Sequence, residues 1–190
     1  MSDGVNSPTW ESDCGTVKLW LGDCLDVMKG WPDGAVDAVV TDPPYGIENA
    51  KFRARLPDTK GDVDSRSIQG DGDLRCVAGL IQLLANEAVI WGANNFPHLL
   101  PHKGRWLCWD KRLSVAADRM LGSSFELAWT SKRSGFDKMI RCLHGGVVNA
   151  DKGKRRHPTQ KPVAVMEASI GEFPRAQAIT DPFMGSGTTG

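Results

Sequence analysis

Short apolar runs alternate along this chain with polar stretches rich in glycine and proline, and their periods predict strands alternating with helices. Residues 17–21 (VKLWL) read as a short strand, and residues 23–31 as a helix that stops at the turn Pro32-Asp33-Gly34. Residues 35–41 (AVDAVVT) are apolar and β-branched, a buried strand ended by Asp42-Pro43-Pro44. Residues 46–74 carry mixed charge, no period and five glycines or prolines, the pattern of a long functional loop. A helical stripe at positions 77, 80, 81 and 84 follows within residues 76–87, then strands at 88–91, 105–109 (RWLCW) and 125–130 (FELAWT). Pro162 is suited to the first position of a helix with Val163, Met166 and Ile170 on one face, and residues 178–180 form a last strand running into a glycine-rich turn. The alternation predicts an α/β fold with a largely parallel sheet in a single domain over residues 1–190.

Composition narrows the partners. The 190 residues are 41% hydrophobic and carry 23 Lys plus Arg against 23 Asp plus Glu, which excludes a strongly basic nucleic-acid domain. Residues 131–156 depart from this balance. They hold eight basic residues and only Asp137 and Asp151 as acids, a local excess of six positive charges that the remaining chain offsets. Such a segment suits contact with a phosphate backbone. No apolar run approaches the roughly 18–20 residues that span a bilayer, and no membrane is expected. Cys14, Cys24, Cys76, Cys108 and Cys142 include no C-x-x-C pair, which favours a reducing cytoplasm over a disulfide framework. His98 and His102 are separated by Pro101 and preceded by Pro97, so no metal site is expected.

Three motifs carry chemistry. Asp42-Pro43-Pro44-Tyr45 follows a predicted strand, at the end where α/β sheets bind ligands. Its prolines offer carbonyls without N–H groups, Asp42 adds a carboxylate acceptor, and Tyr45 is the only tyrosine. Acceptors beside a flat ring suit a planar substrate bearing an exocyclic NH2 group. Residues 181–190 (DPFMGSGTTG) also follow a strand, with glycines that permit close backbone approach to a ligand. His157-Pro158-Thr159-Gln160-Lys161-Pro162 precedes a helix, where Thr159 could cap and Lys161 could neutralise a carboxylate.

In this order the three motifs closely resemble the β-group of amino-methylating DNA methyltransferases, which use S-adenosylmethionine. The resemblance implies a Rossmann-like methyltransferase sheet, doubly wound and circularly permuted, with its C-terminal edge missing. It assigns catalysis to Asp42, Pro43, Pro44 and Tyr45, with the ring stacking on a base flipped from double-stranded DNA. It assigns the cofactor to Asp23, Cys24, His157, Thr159, Gln160, Lys161, Asp181, Phe183, Gly185, Ser186, Gly187 and Thr188. Trp91-Gly92-Ala93-Asn94-Asn95 resembles a strand-end segment of the same family. The basic residues Lys132, Arg133, Lys152, Lys154, Arg155 and Arg156 become the candidate DNA contacts, in a short insert over 131–156. Adenine N6 is the expected acceptor, with cytosine N4 or an inactive DNA-binding remnant as alternatives. Methylation of base carbon would need a cysteine after proline, and none of the five follows one. The family further implies a cytoplasmic protein of bacterial or phage origin, and leaves a homodimer and a restriction endonuclease partner open.

Overall fold

Four consecutive buried residues, Ala38–Thr41, form β3 near one edge of a six-stranded sheet. The computed structural model describes residues 7–45, 74–83, 87–112, 123–142, 144–145, 148–149, 161–185 and 187–189. The sheet also contains β4 (Glu87–Trp91), β5 (Arg105–Asp110), β6 (Phe125–Thr130), β7 (Lys138–Arg141) and β10 (Ile179–Thr180), in the order β10-β3-β4-β6-β5-β7. Two antiparallel pairs stand apart from it, β1 (Trp10–Glu11) with β2 (Lys18–Leu19), and β8 (His144–Gly145) with β9 (Val148–Asn149). The strand expected over 17–21 is thus only the two residues of β2.

β10, β3 and β4 are mutually parallel, as are β5 and β7. The sheet is largely parallel as expected, with β6 the one strand that runs against the others, antiparallel to both β4 and β5. Parallel neighbours need a crossover, which α2 (Arg75–Leu83) provides between β3 and β4, whereas β6 simply returns alongside the strand before it.

Helices cover both faces. Ala38, Val40, Val89 and Trp91 pack with Val165, Met166 and Phe173 from α3 (Val163–Ile170) and the turn after it. The alternate residues Val39, Ala88 and Ile90 pack with Val77 and Leu80 of α2, and with Met28 of α1 (Cys24–Lys29). The period of two along the strands thus sends successive side chains into two separate cores. The face expected on α3 is rotated: Val163 is 46% exposed, while Val165, Met166 and Ser169 are buried. Ser169 is drawn inward because its Oγ accepts from Trp91 Nε1 at 3.2 Å and donates to the Val165 carbonyl at 2.8 Å. Pro162 caps this helix rather than occupying its first turn.

Strand β3 starts later than its apolar run because Asp37 turns aside. Its carboxylate accepts from the Gln177 and Ala178 amides at 2.8 and 2.9 Å, which clamps the entrance of β10 to β3. These two amides hold the Asp37 carboxyl below its ordinary pKa.

At the sheet end opposite residues 42–45 sits a buried ion cluster. Glu172, 1% exposed, pairs with Arg105 at 2.6 Å and with Lys138. Arg105 is 6% exposed and also donates to the carbonyls of Lys132 and Phe136. Burial disfavours ionised Glu172, but Lys138 and Arg105 outweigh it and lower its pKa below 4.5. Removing its charge strands the Arg105 guanidinium in the interior. Glu172→Gln should therefore cost about 3 kcal/mol at neutral pH, toward the lower end for breaking a buried pair, because Arg105 keeps its carbonyl acceptors. A group with a depressed folded pKa contributes fully above its unfolded value and loses that contribution as pH falls through the folded one. In urea unfolding, the gap between wild type and Glu172→Gln should be full above about pH 5 and close progressively below pH 4.5.

Candidate active site

The parallel pairing of β3 with β10 sets two of the sequence motifs side by side. Thr41, the last residue of β3, donates its hydroxyl to Asp181 Oδ1 at 2.6 Å. Thr189 donates to Asp181 Oδ2 at 2.6 Å, and the Phe183 amide to Oδ1 at 3.0 Å. One carboxylate thereby closes the 181–189 loop and fastens it to the strand that presents Asp42. Burial pushes the Asp181 pKa up; these hydrogen bonds act against the shift, and the nearby Asp42 carboxylate adds to it. Gly185 and Gly187 take positive φ, and a side chain at Gly187 would extend into open space.

Lys161 brings the third motif to the first. Its ammonium, on a side chain 5% exposed, lies 2.6 Å from Asp42 Oδ2, 3.1 Å from Glu126 Oε2, and donates to the Tyr45 hydroxyl at 3.1 Å. It also stands 5.4 Å from the Trp91 ring centroid and 5.8 Å from that of Tyr45, within cation–π range. The Tyr45 hydroxyl in turn donates to Asp42 Oδ1. The lysine is placed by α3, which begins two residues later and is anchored through Ser169 to Trp91.

Glu126 completes the cluster. Its Oε1 receives Lys111, while its Oε2 is buried and takes part in no hydrogen bond among the described residues. The ion pair with Lys161 lacks hydrogen-bond alignment at 3.1 Å. Burial opposes the charge on Glu126, yet Lys161 and Lys111 more than compensate and hold its pKa below the ordinary glutamate value.

Of the residues named from the sequence, Asp42, Pro43, Pro44, Tyr45, Lys161, Asp181, Phe183, Gly185, Gly187 and Thr188 lie on the strand-end turns or beside them. Lys161 faces the Asp42 carboxylate, the neutralising role its charge suggested, although the family resemblance had given it to the cofactor. Asp23 caps α1, accepting from the Leu25 amide at 2.8 Å, with Cys24 as the first helical residue. His157, Thr159, Gln160, Ser186, Lys152, Lys154, Arg155 and Arg156 lie outside the described residues, as does nearly all of the 46–74 loop. Lys132 and Arg133 follow β6 at the end far from Asp42, and Lys132 Nζ donates to the Glu172 carbonyl at 2.7 Å. The structure does not bring these two to the site.

Thr41, Gly92, Glu126 and Thr189 went unassigned. Glu126 carried a signal, being the one acid inside the apolar FELAWT strand. Gly92 was singled out only as part of the Trp91–Asn95 segment, without a role, because that role depends on a ring 47 positions earlier. It adopts φ +68°, and a Cβ there would lie 1.9 Å from Tyr45 Cε1.

The chain is similar to several known proteins. Residues 140–190 match the N6/N4-type family model described as DNA methylase. Type II methyltransferase M2.MboI of Moraxella bovis is 25% identical over 96% of this chain and 81% of its own length. Type II methyltransferase M.HinfI of Haemophilus influenzae is 23% identical over 89% of this chain, which spans 59% of that protein. Among solved structures, the M1.HpyAVI–SAM complex is 20% identical with a TM-score of 0.44, covering 89% of this chain and 83% of that one. No helix among the described residues is long and apolar enough to cross a membrane.

The seat of the Tyr45 ring can be tested directly. Gly92→Ala must strain a left-handed backbone, at about 1–2 kcal/mol, and also expel the ring. Thermal unfolding should show the stability loss. NMR of this sole tyrosine should show the ring moved, whereas an unchanged ring environment would contradict the packing.

Proposed function

We propose that this chain is an S-adenosylmethionine-dependent DNA methyltransferase acting on the exocyclic amine of adenine at N6. The observation that carries the reading is the convergence of Asp42-Pro43-Pro44-Tyr45, Lys161 and the Asp181-anchored loop at adjacent ends of parallel strands. The N6/N4-type family match, the M2.MboI and M.HinfI similarities and the order of the motifs support it. Preference for adenine over cytosine N4 rests on the aspartate that opens the motif.

The residues present fit the cofactor. The 181–189 loop has open space at Gly187, a half-buried Phe183 and no side chain at Gly185 to block approach. S-adenosylmethionine supplies an electrophilic sulfonium methyl group, and positioning falls to the chain. Asp42 and the Pro43 carbonyl accept the two amine N–H groups, which draws the nitrogen toward sp3 geometry and frees its lone pair. Neither proline offers an N–H to compete for them. Tyr45, held against Gly92, offers its ring to the extruded base. Catalysis on this reading is orientation and electrostatics, with no covalent link between protein and base.

Incubation with unmethylated DNA and methyl-labelled S-adenosylmethionine, followed by nucleoside analysis, should yield N6-methyldeoxyadenosine. Label on N4 of deoxycytidine would move the assignment within the family, and no transfer together with no cofactor binding in calorimetry would favour a DNA-binding remnant. Asp42→Ala should abolish transfer yet leave cofactor affinity within about twofold, because the lost contacts are to the base. A parallel loss of cofactor affinity would sink that role.

The DNA contacts are assigned to the basic insert. Neutralising Lys154, Arg155 and Arg156 should lower affinity for all sequences and reduce the log–log salt slope by roughly 0.9 per lost phosphate contact. Lys132→Gln should leave that slope unchanged, since its ammonium binds the Glu172 carbonyl at the other end of the sheet.

A further inference from the structure

The Asp42 carboxylate needed by the substrate amine is engaged on both oxygens in the free protein. Tyr45 donates to Oδ1 and Lys161 lies against Oδ2. An incoming amine competes with Lys161 for Oδ2, and a buried ammonium with no other anion to receive it would oppose that exchange. Glu126 stands where such an anion is required. Lys111 satisfies Oε1, whereas Oε2 is buried without a hydrogen bond and already 3.1 Å from the Lys161 nitrogen. An unfilled buried acceptor beside a three-donor cation is an unused bond, and a small rotation of the lysine head would make it.

We infer that Glu126 is a positioning residue that receives the Lys161 ammonium when the substrate amine takes its place on Asp42. The exchange is one of ion-pair partners, and no covalent bond is made or broken. The cation orients Asp42 in the empty site, then moves to Glu126 Oε2 as the base enters. The inference deepens the proposed function and rests on it for the identity of the incoming group. Its structural half, the second seat for Lys161, stands independently.

Three variants test it. Glu126→Gln keeps size and polarity but removes the charge that receives the lysine. It should lower kcat/KM for DNA by about tenfold or more while leaving affinity for S-adenosylhomocysteine unchanged. Adding Lys161→Met removes the cation needing a seat. The double variant should therefore be no worse than Lys161→Met alone, a strongly non-additive cycle. Additive losses would overturn the inference and point to Lys111, the other cation on Glu126, as the route of the damage.

A second readout does not depend on turnover. In Asp42→Asn, the Nζ resonance of Lys161 in proton–nitrogen NMR should stay protected from solvent, because Glu126 retains it. In Asp42→Asn combined with Glu126→Gln the protection should vanish. Loss of protection in Asp42→Asn alone would show that Glu126 is no second seat, whatever the activity. If instead the protection pattern holds while the wild-type chain transfers no methyl group to DNA, the functional reading fails and the seat stands.

Discussion

Asp181 accepts three hydrogen bonds at the end of β10, from Thr41, Thr189 and the Phe183 amide, while burial resists its ionisation. The rest of the site depends on that group. Thr41 immediately precedes Asp42, so the bond that shapes the glycine-containing loop also fixes where the acceptor turn begins. Strand pairing alone would set β10 beside β3, and the Asp37 clamp does so from the other end. The Asp181 contacts tie the loop leaving β10 to the end of β3. A methyl donor and its acceptor must meet within a few tenths of an ångström, and a shared hydrogen-bond hub supplies that kind of rigidity.

A second support comes from the opposite face of the sheet. Trp91, buried at the end of β4, donates to Ser169 in α3 and meets Trp109 edge to face at 6.3 Å. It also lies under the Lys161 ammonium, so the residue that anchors the helix helps stabilise the charge delivered by that helix. Gly92 comes directly after it and leaves room for Tyr45. The end of β4 and the residue after it therefore position both the lysine and the aromatic ring. The core is not a passive scaffold here, since a large-to-small change at Trp91 would shift two site residues along with the packing.

Much of this was legible in the chain. β3, β4, β5 and β6 fell where apolar runs met turn residues, and the three motifs announced the sheet end they occupy. The features that stayed hidden depended on contacts across the fold. The antiparallel course of β6 is set by its return beside β5, which strand periodicity does not encode. The buried face of α3 turned on a serine that a hydrophobicity pattern places outside. Lys132 belongs to a charge-rich segment, yet its ammonium serves the backbone carbonyl of Glu172. Charge in a sequence shows that a cation exists; the partner that engages it is a property of the fold.

The two ends of the sheet use the same device for different purposes. Glu172 and Glu126 are each shared by two cations, and in each case those cations overcome burial to keep the acid ionised. At Glu172 both carboxylate oxygens are hydrogen-bonded and Arg105 has backbone carbonyls as well, so the cluster is saturated and any change in it is a loss. At Glu126 one oxygen is left unmatched, and the nearby lysine is committed to Asp42 instead. A saturated cluster has one arrangement and stabilises a fold. At Glu126 an acceptor oxygen remains beside a lysine that also serves Asp42 and Tyr45, so the cation has a second carboxylate within reach if a substrate takes its place on the first.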